Sequence, residues 1–179
     1  MWADYGVASL RSLGGAGVFT GGFSPRPRLD SVSTVTVAMT KDEREAFLSD
    51  VHVGVLSVAQ EGLAPLAVPI WYSYEPGGVV SVITGASSRK ARLIAAAGRF
   101  SLCAQSEAAP YKYVSVEGPV TSTQSPVDAQ EARQAAYRYL GQVFGDLYLA
   151  ATAEGAESNC VIRMAPASWL TSDFAKEYS

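Results

Sequence analysis

Five stretches rich in β-branched and aromatic residues follow one another between residues 53 and 121: VGVLSV (53–58), LAVPIWYSY (66–74), VVSVIT (79–84), RFSLCAQ (99–105) and YKYVSVEGPVT (111–121). Such runs read as strands. Three of the four gaps are short and contain turn-forming stretches, Glu61-Gly62, Pro76-Gly77-Gly78 and Ala108-Ala109-Pro110. Gaps this short allow antiparallel hairpins and leave no room for the crossovers that parallel strands need. A sixth strand is expected at 159–166, followed by an aromatic tail from Trp169 to Phe174. The expected architecture is therefore mainly β, a six-stranded antiparallel sheet or small barrel with peripheral helices.

Three helices are expected around it. Thr40 and Glu43 form a capping box that should start a helix over about 41–49. Ser87 and Ser88 can cap a helix closed by Gly98. Ser125-Pro126 announces a third, running to Gly141, with a further helical piece over 143–153. The first 38 residues mix Gly-Gly, Pro-Arg-Pro-Arg and short apolar pieces without a period, so residues 1–38 are expected to be a disordered extension and 39–179 the folded domain. The extension lacks the apolar segment and cleavage site of a secretory signal, and the apolar runs stop well short of a membrane span. A cytoplasmic location is the expectation.

The inventory of reactive side chains is sparse. Lys plus Arg is 14 and Asp plus Glu is 17, a net charge of −3 that speaks against nucleic acid or an anionic membrane as partner. Cys103 and Cys160 stand far apart and His52 is the single histidine, so neither a metal site nor a histidine-based triad is expected. No catalytic side chain is assigned. Chemistry on such a chain would have to come from a cofactor.

One segment points to where that cofactor would bind. The helix after Ser88 opens with Arg89 and Lys90, where unpaired backbone N–H groups already carry partial positive charge. Each cation costs about 0.3–1 kcal/mol there, unless an anion is bound. A phosphate reverses the sign, meeting amides, the hydroxyls of Ser87 and Ser88, and two charged donors. Thr84 ends the preceding strand close by, and VPIWYSY places a proline inside a strand, which frees main-chain groups beside Trp71. The competing readings are side chains that simply reach into solvent, and aromatics that only pack a core or a dimer contact.

VPIWYSYEPGGVVSVITGASSRKARLIAAAGRFSLCAQ, followed by YVSVEGPVT, resembles the pyridoxamine 5′-phosphate oxidase-like, FMN-binding split β-barrel superfamily, including its deazaflavin-using branch. The resemblance runs from about Thr40 to Lys176 and is most specific from Thr84 to Leu93. It implies a six-stranded Greek-key split barrel forming a homodimer, with FMN or coenzyme F-420 at the subunit interface and a small-molecule substrate. It also implies roles for single residues. Arg89 and Lys90 fall on the phosphate-binding positions with Ser88 beside them, Thr84 on the strand end near the cofactor, and Val68, Pro69, Ile70 and Trp71 on the strand along the ring. Tyr113 falls where the oxidases carry a cofactor-contacting glutamine, and Ser73 where the oxidase proper has a lysine. Arg163-Met-Ala-Pro166 matches the oxidase's terminal motif only in outline. These departures speak against vitamin B6 oxidation. What the resemblance implies is an FMN-dependent oxidoreductase moving a hydride to or from a small planar substrate. The alternatives are a coenzyme F-420-dependent reductase, with Arg92 as an extra basic contact, and a non-catalytic flavin- or haem-binding protein.

Overall fold

The computed structural model describes residues 36–178. The extension expected to be disordered lies, up to residue 35, outside the described residues. The chain runs α1 (Lys41–Ser49), β1 (Gly54–Gln60), β2 (Leu63–Ile70), β3 (Tyr72–Ser73), β4 (Val80–Gly85), α2 (Arg89–Ala97), β5 (Arg99–Gln105), β6 (Lys112–Gln124), α3 (Ala129–Ala151), β7 (Asn159–Met164) and β8 (Ser168–Asp173). A 3₁₀ segment, Ala153–Ser158, joins α3 to β7, and another, Phe174–Tyr178, follows β8. Every strand pairing is antiparallel, in the order β2-β1-β5-β6-β7-β4-β3, with β8 also pairing with β6. The sheet curls into a half-barrel with the helices outside it.

The described residues form eight strands rather than the six expected, for two physical reasons. The run expected as one strand over 66–74 is interrupted at Trp71, because its two parts serve different pairings: β2 lies on β1 and β3 lies on β4. The aromatic tail is itself a strand, β8, whose alternation becomes visible only against its partner. Trp169 and Thr171 are half-buried, while Leu170 is 65 % exposed.

β6 holds the two halves together. Along one edge its first part pairs with β8, from Lys112 to Glu117, and its last part with β7, from Val120 to Gln124. The link from β7 to β8 therefore crosses over Gly118, with Ala165 N–H donating to the Pro119 carbonyl and Ala167 N–H to that of Glu117. The register shift in β6 falls between Val120 and Ser122, so Gly118 is explained by this close crossing rather than by a bulge.

The interior is built from alternate strand residues, Leu56 and Val58, Val80 and Val82, Leu102 and Ala104, Val114 and Val116, Ile162 and Met164, closed by Leu48 of α1 and Ile94 of α2. α2 begins and ends as expected: the Ser88 hydroxyl accepts from the Ala91 N–H, and Gly98 takes φ 65°. α3 starts later than Ser125-Pro126 predicts. β6 stays paired as far as Gln124, and Asp128 is the better cap, accepting from the N–H groups of Gln130 and Glu131. Gly141, at φ 69° and ψ 175°, breaks α3 into two helical pieces.

The capping box of α1 is present and reaches further than its own helix. Glu43 accepts from the Thr40 N–H at 2.7 Å and from the Lys176 ammonium at 2.6 Å, and Lys176 also donates to the Ala38 carbonyl. Lys176 first, then the Thr40 amide, lower the Glu43 pKa from 4.5 to about 2. A depressed carboxylate lends stability above the unfolded value and loses it as pH falls through the folded one, here between 4.5 and about 2. A carboxyl titration followed by NMR should find the Glu43 midpoint near 2, and Lys176→Met should move it upward. An unchanged midpoint would dissociate the shift from that contact.

Candidate functional site

The end of β4 and the start of α2 bring four of the expected residues together. Thr84 is buried and its hydroxyl lies 3.2 Å from that of Ser88, the α2 cap. Arg89 and Lys90 occupy the first turn, which holds no acidic residue. The Arg89 guanidinium donates to the Gln60 side chain at 2.6 Å, and among the described residues neither cation is in a salt bridge. Two positive side chains thus stand unneutralised beside free helix amides, the arrangement that a phosphate would satisfy. Arg92 is exposed and donates to the Ser87 carbonyl, while Glu117 is taken by Arg99 at 3.3 Å.

Val68 and Ile70 turn toward the core, Pro69 lies exposed opposite Val55, and Trp71 stands at the break between β2 and β3. β2 is an edge strand, which is why a proline fits. Tyr139 of α3 fixes the break. Its hydroxyl accepts from the Tyr72 N–H at 2.9 Å and sits 2.9 Å from the carbonyls of His52 and Tyr72, and its ring stacks on Trp71 with centroids 4.9 Å apart and planes 4° apart. Tyr113 stands elsewhere in the chain, half-buried on β6, opposite Gln105 and Ser172 and separated from β2 by two strands and from β4 by one. Trp169 packs within its own chain, edge-on to Tyr74 and under the Arg44 guanidinium.

A cavity of about 360 Å³ opens beside Trp71, between the outer face of β3 and β4 and the inner face of α3. Sequence reading did not find it. Its floor is Ser81 and Ile83, and its wall is Ala129, Ala132, Ala135 and Ala136, small residues spaced for one side of a helix. That alanine spacing was the available signal; without the fold it reads equally well as helix packing. Asn159 joins the lining directly opposite Gly85, so the cavity and the α2 start share the end of β4.

His52 is not placed to exchange protons with a ligand. Its ring stacks on Phe47 at 4.3 Å, its Nε2 is buried without a hydrogen-bond partner, and burial pushes its pKa below the ordinary value. Among the described residues no group of His, Cys, Asp and Glu could hold a metal ion, and no helix is long and apolar enough to cross a membrane.

The family model for pyridoxamine 5′-phosphate oxidase matches residues 40–173. No curated protein matches the chain. Similar solved structures include a conserved hypothetical protein from Mycobacterium tuberculosis, at 17 % identity and TM-score 0.62, covering 80 % of this chain and 90 % of that one. An F420 reductase is similar at 17 % identity and TM-score 0.52, covering 70 % and 94 %. An FAD-binding protein from Mesorhizobium loti aligns at 16 % identity and TM-score 0.50, covering 74 % and 92 %. At such identities the common property is the fold. The family match begins at the Thr40 cap of α1 and ends on the last residue of β8, spanning the whole half-barrel and the α2 start within it: this chain belongs to the pyridoxamine 5′-phosphate oxidase family.

Proposed function

We propose that the protein is a flavin-dependent oxidoreductase that binds FMN and moves a hydride to or from a small planar molecule. The observation that carries this reading is the pair of unneutralised cations, Arg89 and Lys90, in the first turn of α2 above the Thr84 and Ser88 hydroxyls. When bound, the flavin supplies the two-electron chemistry. The chain's own work is binding, orientation and exclusion of water. Arg89 and Lys90 would hold the phosphate, the backbone of Val68 to Trp71 would line the ring, and Tyr139 keeps that backbone in place through the Tyr72 N–H. No side-chain acid or base is assigned, in keeping with a neutral His52 turned into the packing.

The cofactor would lie at a homodimer interface, with Tyr113 contributed from the partner. In favour of this, Pro69, Val55, Cys103, Ser115 and Leu170 form one row across β2, β1, β5, β6 and β8 on the face turned away from the core, with Val55 41 % and Leu170 65 % exposed. Apolar residues exposed in such a row favour burial against a second copy.

Coenzyme F-420 is the second reading, favoured by Arg92. This exposed cation lies one residue beyond the α2 first turn and is not claimed by Glu107 or Glu117, so it can meet a longer acidic tail. A visible absorption spectrum of the purified protein, then titrations with FMN and with coenzyme F-420, separates the readings. Saturable binding of FMN is expected. Saturation by F-420 alone would transfer the chain to the deazaflavin reading, and binding of neither would remove the oxidoreductase reading.

A further inference from the structure

The cavity beside Trp71 shows what kind of molecule it can hold. Its lining includes no lysine, arginine or histidine, but it does include two glutamates, Glu131 and Glu157. Glu131 is already matched, accepting from the Arg163 guanidinium at 2.9 and 2.7 Å through both carboxylate oxygens. Glu157 is exposed at the edge and leaves the site with negative charge. An anionic group inside would meet that carboxylate with no cation lining the cavity to offset it. The rest of the lining is mostly apolar, with Trp71 and Tyr148, whose rings meet at 5.4 Å tilted by 53°, Ile83 at the floor, and Ala132 and Ala135 leaving the space open; its other polar groups, such as Ser81, Thr152 and Asn159, are neutral.

We infer that this cavity takes a flat aromatic molecule that carries no negative charge, and turns away phosphorylated and carboxylated ones. The ligand class follows from the lining alone; calling that ligand the hydride partner of a flavin rests on the function proposed above. Ser73 adds a neutral hydroxyl to the same lining.

The test uses three bicyclic probes of one shape at pH 7, followed by calorimetry with and without FMN: neutral 2-naphthol, cationic N-methylquinolinium and anionic 2-naphthoate. The first two are expected to bind, and 2-naphthoate at least about tenfold more weakly than 2-naphthol. Pyridoxal 5′-phosphate should behave like the naphthoate. Glu157→Gln, an exposed change, should narrow the gap between cation and anion several-fold. Ala132→Leu should abolish binding of all three, with circular dichroism and melting temperature reporting that it folds. If it does not fold, Glu157→Gln carries the test alone. Equal or tighter binding of 2-naphthoate, no binding of any probe, or an unchanged gap in Glu157→Gln overturns the inference. Probe binding that persists in a protein unable to bind FMN or F-420 would overturn the proposed function and leave the cavity assignment standing.

Discussion

Arg89→Ala combined with Lys90→Ala should weaken FMN binding by about 100- to 10,000-fold while leaving the melting temperature in phosphate-free buffer unchanged or raised. The two effects have opposite signs because the same charges do opposite things in the two states. With a phosphate present, each cation makes a charged hydrogen bond of about 1.5–3 kcal/mol, and losing both costs about 3–6 kcal/mol of binding. Without it, both stand at the positive end of a helix, where each is unfavourable by about 0.3–1 kcal/mol. The contact that the folded chain gives up is the exposed bond from Arg89 to Gln60. Fluorescence titration with FMN and thermal unfolding of the same variant read the two signs separately. A clear loss of melting temperature with unchanged FMN affinity would make the pair a structural feature and place the phosphate elsewhere.

Gly118→Ala should cost about 3 kcal/mol and lower the melting temperature by roughly 6–12 °C. A Cβ built at Gly118 would lie 1.8 Å from the Ala165 carbonyl oxygen and 2.9 Å from its carbon. These are backbone atoms, held by the hydrogen bonds from Ala165 to Pro119 and from Ala167 to Glu117, so the crossing cannot yield without stretching both. Gly155→Ala is the control, since nothing lies within 4 Å of its Cβ position, and its effect should stay within about 0.5 kcal/mol. Thermal unfolding by circular dichroism decides it: a Gly118→Ala protein that melts with the wild type would mean the link between β7 and β8 has another path.

Much of this was legible locally. The Thr40–Glu43 box, the Ser88 cap and the Gly98 end of α2 depend on residues within one turn of each other, and each formed where the chain spells it. The Arg89–Lys90 anomaly was legible for the same reason, since helix-end electrostatics acts over a single turn. The antiparallel hairpins followed from linkers too short for anything else. Where expectation and structure part, the deciding partner is far away in sequence. Ser125-Pro126 fails as a helix start because β7 holds Gln124 in a strand, and Trp169 belongs to a strand because β6 lies beside it.

The sequence by itself determined the strand-rich class, the helix ends and the cluster of cations with hydroxyls at the head of α2, because turn geometry, caps and helix dipoles are set by neighbours a few residues apart. Only the tertiary structure decided that the chain changes sheets at Trp71, that Gly118 is crossed by another piece of backbone, and that four alanines of α3 face β4 across an open cavity lined by two glutamates and by no lysine, arginine or histidine. The crossing and the cavity are made by residues far apart in sequence, such as Gly118 with Ala165, 47 positions on, or Ser81 with Asn159, 78 positions on. An alternating strand or an alanine-rich helix reads the same whatever lies against it, so what it encloses is settled when the half-barrel curls.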